Sequence, residues 1–342
     1  MVTIIGGGIA GTVLAGALAR DGMAVTVFES RPAVRAGAFL FLDDRGHDAL
    51  EGLGVARDRL YAASQPVSTI RVEYAPGPVR SRPSNHRMYL RADLMGVLTE
   101  FAASTPAEFH YDTPIADLDL ESRTLCGDST RFAADELIIA ADGIDSRARN
   151  HLEPERTPEY AGQVVVYGRT DKPLQPDTEP SVLHFNGQID ETVSPTPAFG
   201  HIWNDSISVW FARITREQLA AADIGIQPVA PWVGAVESTA PAISDTIDLL
   251  LANTETAHFS NARNVPFARA EPPHPGLILC GDADHAITPA AGVGARDAIE
   301  DAAALHRALR EGTSPTEAMA ARRQQIDAER RQATPPGRSR RS

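Results

Sequence analysis

Only two cysteines, Cys126 and Cys280, occur in 342 residues, too few for a disulfide framework or a cysteine-rich metal site. Cys280 ends the apolar run "LILC" and reads as a small buried hydrophobe. Lysine is almost missing. Lys172 is the sole one and stands in a proline-rich stretch, so any chemistry needing a lysine amine has a single candidate. No uninterrupted apolar run reaches the ~18 residues of a membrane span. The apolar N-terminus lacks a basic leader and carries glycine at positions 6, 7, 8 and 11, so we expect no secretory signal and a reducing, cytoplasmic setting. Positive charge is in deficit: a formal net charge of −13 argues against a nucleic-acid partner for the body of the protein. The ten histidines show no H-x-x-x-H spacing, and no metal is expected.

What is present is an ordinary globular composition, 43% hydrophobic and 23% charged, long enough for one large or two medium domains. The chain opens "MVTIIGGGIAGTVLAG". Val2 to Ile5 reads as a short buried strand. Gly6, Gly8 and Gly11 follow in the spacing G-x-G-x-x-G, and a helix begins inside the glycines, with Ile9, Ala10, Val13, Leu14, Ala17 and Leu18 at helical spacing. A second strand, Ala24 to Phe28, ends at Glu29. Gly6 suits a tight turn, Gly8 a close approach of backbone to a pyrophosphate, and Gly11 close packing of helix on strand. The helix N-terminus faces phosphates, and a carboxylate at the offset of Glu29 grips a ribose hydroxyl. These residues fit NAD or FAD equally and disfavour a 2′-phosphate.

Two later stretches repeat the pattern. "AADGIDSRAR" places Asp142 and Gly143 directly after the apolar strand Leu137 to Ala140, and "CGDADHAITPAAGVGARDAIEDA" places Gly281 and Asp282 after another strand. Pro289, Gly292 and Gly294 then open a helix. Three carboxylates at the C-terminal ends of strands converge on one crevice in a doubly wound sheet. Between them, "QVVVYGRT", "AFGHIW" and "SISVWFARI" read as strands, the last two joined in a hairpin at Asn204-Asp205, with helical stretches near "REQLAAA" and "ISDTIDLLLANT".

Taken together, these segments resemble the class A flavoprotein monooxygenases, the family typified by para-hydroxybenzoate hydroxylase. The glycine fingerprint with Glu29, the "DG" motif at Asp142-Gly143 and the "GD" motif, of the form GDAAHxxxPxxGxGxN, at Gly281, Asp282, His285, Pro289, Gly292 and Gly294 carry the resemblance. Arg91 in "YLRADL" and Arg35 match flavin-contacting arginines of the family. Two positions depart from it: Asp284 stands where the family has Ala, and Arg296 where it has Asn.

The resemblance implies an α/β fold, a Rossmann-like FAD-binding domain of the glutathione reductase type (residues 1–66, 88–155 and 262–325) with an interleaved, sheet-rich substrate domain (67–87 and 156–261) and a disordered tail over 326–342. It implies FAD held by Gly6, Gly8, Ile9, Ala10, Gly11, Glu29, Ser30, Arg35, Arg91, Asp142, Gly143, Gly281, Asp282, Pro289, Gly292, Val293, Gly294, Ala295 and Arg296. NADPH or NADH would reduce it, and O₂ would then add to give a flavin C4a-hydroperoxide that delivers one oxygen atom to an aromatic or enolisable, polyketide-like small molecule. Arg296 either supports the reduced flavin or points to solvent. On the substrate side the candidates are Arg45, His47, His201, Trp203, Trp210, Phe211 and Arg213. On the strand ending at Arg213, Val209, Phe211 and Arg213 share one face and Ser208 and Trp210 the other. Baeyer–Villiger or other flavin chemistry, or flavin binding without catalysis, remain alternatives. A flavin halogenase is disfavoured because "VWFARI" does not match W-x-W-x-I-P. A monomer or weak homodimer is expected.

Overall fold

The structure, a computed structural model, describes residues 1–32, 38–170, 172, 174–190, 192–288 and 292–333. Its centre is a five-stranded sheet in the order Leu277–Leu279, Leu137–Ala140, Val2–Ile5, Val25–Phe28, Glu108–His110, with every neighbouring pair parallel. Parallel strands covered on both faces are apolar throughout, and alternate residues here enter two cores. Val2, Ile4, Ile139 and Ile278 face the helices Ile9–Arg20, Arg91–Ala103 and Gly294–Glu311. Ile5, Ile138, Leu277 and Leu279 face a small sheet spanning 117–133 and the helix Arg147–Leu152. Gly16 lets the first helix cross Arg91–Ala103 closely, since a Cβ there would lie 2.6 Å from the Phe101 ring.

The second sheet has eight strands: Gly225–Pro228, Thr256–Asn264, Glu159–Thr170, Ser208–Thr215, Ala198–Trp203, Val182–Gln188, Thr69–Ala75 and Arg80–Pro83. Its register aligns His258, Tyr167, Phe211, Gly200, Phe185 and Val72 across one face. That face packs on a three-stranded sheet built from Phe39–Leu42, Arg87–Leu90 and Gln65–Pro66. The reverse face buries Phe199, Trp210 and Phe259 under the helices Val233–Glu237 and Ser244–Ala252. The expected hairpin forms, with the Asn204 side-chain oxygen accepting the Ser206 and Ile207 N–H groups at 2.9 and 3.1 Å.

Two expectations need correction. "REQLAAA" contributes only a short 3₁₀ turn, Ala221–Asp223, because Asn261 holds both the N–H and the carbonyl of Leu219 from the neighbouring strand. The chain does not leave the body at residue 326. A helix runs Pro315–Ala333, with Met319 and Ile326 buried. Residues 334–342 lie outside the described residues. Among the described residues no helix is long and apolar enough to cross a membrane.

Candidate active site

Four neighbouring strands deliver the motif residues to the C-terminal end of the central sheet. Gly6 and Asp142 meet where Val2–Ile5 pairs with Leu137–Ala140: a Cβ on Gly6, whose φ is +99°, would lie 2.3 Å from the Ala141 carbonyl oxygen. A Cβ on Gly11 would lie 1.9 Å from the Gly6 oxygen, which fixes glycine there for helix-on-turn packing. Gly8 differs. Its added Cβ would meet nothing nearer than 4.0 Å, so the fold leaves that side of the turn open. Gly8 caps the Ile9–Arg20 helix without a side-chain bond, and no acid occupies the first turn. Its free N–H groups and dipole therefore face the groove, as an anion site requires. Ile9 and Ala10 are buried beneath. The Glu29 carboxylate closes the turn by accepting N–H bonds from Gly7 (2.6 Å) and Arg31 (3.0 Å), while Ser30 is exposed beside it.

Asp142 accepts N–H bonds from Arg147 and Ala148 at one oxygen. Its other oxygen, Oδ1, is buried with no partner. Burial pushes this carboxyl above its ordinary pKa against those backbone bonds. Gly143 follows with φ +81° and open space around it. The strand Leu277–Leu279 leads into Gly281, φ +62°, which packs between Ala298 of the Gly294–Glu311 helix and Ala10 of the first helix. Asp282 is exposed to solvent by area but sits in a concavity whose enclosing protein raises its carboxyl pKa, opposed by the charges of His285 and Arg91. Gly294 comes near it: a Cβ there would stand 4.0 Å from Asp282 Oδ1. Gly292 (φ +66°), Val293, Gly294 and Ala295 lead into the Gly294–Glu311 helix, which has no side-chain cap. Arg35 and Pro289 lie outside the described residues. An orphaned carboxylate oxygen, two uncapped helix starts and a turn that only glycine can make together suit a long phosphate- and ribose-bearing cofactor.

Asp301, fully buried, supports the turn from below. Its carboxylate accepts the Gly281 N–H (3.0 Å), His285 Nε2 (2.5 Å) and Arg322 Nε (3.0 Å). Burial opposes charge on His285, but the Asp301 carboxylate outweighs it and holds the imidazole pKa above its usual value.

Arg91 opens the Arg91–Ala103 helix, and its charge acts on both Asp282 and His258. It therefore marks where the groove meets the front face of the eight-stranded sheet. There Phe39, Phe211 and Tyr167 form one aromatic cluster (Phe39–Tyr167 centroids 5.6 Å, Phe39–Phe211 6.3 Å), extended by Phe185 on Phe211 (5.4 Å) and His258 by Tyr167 (6.3 Å). Gly200 makes room for the Phe211 ring. Arg213, one row further, donates from Nη2 to Tyr74 Oη at 2.7 Å, and its Nε is buried without a partner. Among the described residues no carboxylate pairs with it in the ion-pair geometry. Burial raises the Tyr167 phenol pKa strongly, against the pull of Arg213. Burial, then the charge of Arg91, lowers that of His258, whose Nδ1 is buried and unpartnered.

Of the substrate-side candidates, the structure brings only Phe211 and Arg213 to this face. Trp210 lies on the reverse face, fully buried, with its indole N–H on Thr254. His201 and Trp203 lie there too, on a cavity of ≈ 860 Å³ shared with Arg71 and His184, with the sheet itself between it and the groove. His47 is buried in the first core, with Nε2 on Tyr89 Oη at 2.9 Å. Arg45 is held by Glu300 (2.9 Å) and Glu329 (3.0 Å). Arg296 does not point to solvent: Asp43 (3.2 Å), Asp297 (2.9 Å) and Glu329 (3.1 Å) surround it. The sequence reading missed Tyr167 and His258. Alternation in "TAHFSN" puts His258 opposite the core residues Ala257 and Phe259, a usable signal. The valine run before Tyr167 hides any such alternation.

His201 yields a pH prediction. It is 1% exposed, stacks on His184 at 4.9 Å, and has Nδ1 unpartnered. Burial and then His184 depress its pKa to about 3. Below about pH 6.5 the unfolded chain binds a proton there that the folded chain refuses. Stability is therefore whole above that pH and falls as pH drops, by about 1.4 kcal/mol per pH unit. Unfolding free energies from urea titrations between pH 7 and 5 will fall more steeply for the wild type than for His201→Phe, by about 2 kcal/mol at pH 5. Equal slopes would refute the assignment.

A family profile described as "FAD binding domain" matches residues 1–334. Kynurenine 3-monooxygenase of Salinispora tropica is 28% identical over 90% of this chain and 72% of its own length. Salicylate hydroxylase of Pseudomonas putida is 28% identical over 92% and 77%, and 6-hydroxynicotinate 3-monooxygenase of Bordetella bronchiseptica 26% over 90% and 82%. Among solved structures, CtdE in complex with FAD superposes with a TM-score of 0.75 at 19% identity, covering 94% of this chain and 88% of that one. The tetrameric form of 2-methyl-3-hydroxypyridine-5-carboxylic acid oxygenase gives 0.72 at 21%, covering 95% and 86%.

Proposed function

The chain belongs to the FAD-binding-domain family of flavin-dependent aromatic monooxygenases, and from that premise we propose that it hydroxylates a small aromatic carboxylic acid. FAD is its cofactor, with NAD(P)H as the family's reductant. When bound, FAD supplies the two-electron chemistry and the activation of O₂. We assign Gly8, the first helix N-terminus, Glu29, Asp142, Asp282 and the Gly294 helix start to hold it, and the front face of the eight-stranded sheet to hold substrate.

The observation that carries the substrate class is Arg213. A cation half-buried among aromatic rings, lacking a carboxylate partner, calls for an anion from outside. The relatives are named for kynurenine, salicylate and 6-hydroxynicotinate, each an aromatic compound that bears a carboxylate, on the ring in the last two and on a side chain in the first. Phe39, Phe185 and Phe211 would exclude water from the ring. Tyr167 stays protonated and can donate a hydrogen bond, whereas His258, with its pKa lowered and Nδ1 unpartnered, can take part as a neutral hydrogen-bonding group.

Purified protein with FAD and NAD(P)H will turn over members of an aromatic carboxylate panel, with a product heavier by one oxygen atom. Arg213→Ala will raise KM for the best of them by about 10²-fold, the cost of leaving a buried ion unpaired. The analogue lacking the carboxylate will not distinguish variant from wild type. If Arg213→Ala leaves KM unchanged, the acid-binding assignment is wrong.

A further inference from the structure

Both departures from the family's GD motif lead to the same place. Asp284, fully buried, accepts Arg323 at Nε and Nη2 (2.7 Å each) and Arg156 Nη2 (2.9 Å). Arg296 donates to Glu329 at 3.1 Å, besides Asp43 and Asp297. Arg323 and Glu329 both belong to the Pro315–Ala333 helix. The same helix sends Arg322 to Asp301, which holds the Gly281 N–H and His285, and Arg330 to the His285 carbonyl at 2.7 Å. Residues 322, 323, 326, 329 and 330 recur at helical spacing, so one face makes all these contacts. Its fully buried apolar anchors are only Met319 and Ile326, and charge does the rest of the docking.

We propose that Asp284 and Arg296 are positioning residues that clasp the Pro315–Ala333 helix over the motif segment (residues 281–288 and 292–296), so that this helix sets how tightly the segment holds FAD. The inference rests on the functional reading above, in which that segment borders the flavin. Because the ion pairs reach the segment at both ends, Asp284 and Arg296, losing either loosens the backbone carrying Asp282 and the Gly294 helix start. Arg296 is not a direct flavin partner in this arrangement, since three carboxylates already balance its charge.

Arg296→Asn, which restores the family residue, and Glu329→Gln test it, alone and together, in the full-length protein. Limited trypsin digestion reads cleavage after Arg322, Arg323, Arg330 and Arg331. Fluorescence titration of the flavin-free protein reads the FAD dissociation constant, and its thermal midpoint reads global stability. We expect each single variant to raise cleavage within the helix and the FAD dissociation constant by about tenfold, with the double variant falling short of the product of the two, as residues that share one contact and hold others apart from it require. The thermal midpoint should stay within a few degrees. Weaker FAD binding in Arg296→Asn alone, with cleavage unchanged, would mean direct action on the flavin and overturn the clasp. Faster cleavage with unaltered FAD affinity would overturn it as well, as would a fall in thermal midpoint with no change in affinity. A wild-type protein that takes up no FAD would sink the functional reading and the clasp with it, whereas failure confined to variants of a FAD-binding wild type sinks the clasp alone.

Discussion

Gly11→Ala will purify as a colourless protein that takes up no flavin. The added methyl would sit 1.9 Å from the Gly6 oxygen and 3.1 Å from its carbon, and both are backbone atoms of a turn held at φ +99°. Nothing flexible can yield. Either the Ile9–Arg20 helix lifts from the Val2–Ile5 strand or the turn opens, at a cost of about 1–3 kcal/mol or more. In both cases the helix N–H groups leave the position where they face a phosphate. Gly8→Ala separates packing from binding, because its methyl meets nothing nearer than the Ala141 oxygen at 4.0 Å, an unstrained distance. The flavin-free Gly8→Ala protein should melt with the wild type while binding FAD at least tenfold more weakly. The measurement is the ratio of absorbance at the flavin band to that at 280 nm after FAD loading and gel filtration. A yellow, stoichiometric Gly11→Ala protein would mean that this turn is not the cradle.

Asp301→Ala should be the most destabilising single change in the interior of the motif. It would leave His285 buried without its carboxylate partner, Arg322 with only the half-buried Glu300 (3.1 Å), and the Gly281 N–H without an acceptor. Removing one partner of a buried pair costs about 3–5 kcal/mol. Asp301→Asn keeps the shape and one acceptor, so it should fall between. Burial would raise the Asp301 carboxyl, but the charge of His285, its hydrogen bond and Arg322 hold it below its ordinary pKa. Its contribution is therefore present above about pH 4 and lost as pH falls through the depressed folded value. His285 is raised, so its contribution is present below about pH 6.5 and lost as pH rises through the folded value. The pair stabilises most between those limits, and Asp301→Ala should flatten both limbs of the pH profile. Urea unfolding of the flavin-free protein at several pH values is the check. A loss under about 1 kcal/mol would show that the charges are better solvated than the structure indicates.

How far the site could be read beforehand depended on how local each signal is. Gly6, Gly8, Gly11 and Glu29 fall within one strand–turn–helix–strand unit, and their steric reasons are internal to it. Asp142 and Asp282 each follow an apolar strand by a residue or two. The side-chain period of two also put Phe211 and Arg213 on one face of their strand and Trp210 on the other. It could not say which face meets the groove, because that depends on the Val233–Glu237 and Ser244–Ala252 helices covering Trp210. Arg45 and His47 were misplaced for a different reason: their partners Glu300, Glu329 and Tyr89 are distant in sequence, and no local rule links them. Asp284 and Arg296 stood out only as departures from a motif; the ion pairs that explain them run to a helix of low apolar content, of which the sequence reading took only the beginning as ordered.

The strand order of the central sheet also dictates when this protein can mature. Val2–Ile5, the first strand made, has as its neighbours Val25–Phe28, soon synthesised, and Leu137–Ala140, made much later; Leu277–Leu279 then completes that side of the sheet. A chain emerging from a ribosome thus exposes an unpaired parallel edge until Leu277–Leu279 has been translated, and such edges invite association with other chains. Asp282 and the helix that braces it arrive later still. Capture of the coenzyme is consequently a step that follows closure of this sheet, and supplying riboflavin to an expression host should improve the yield of coloured protein more than it improves the yield of soluble polypeptide.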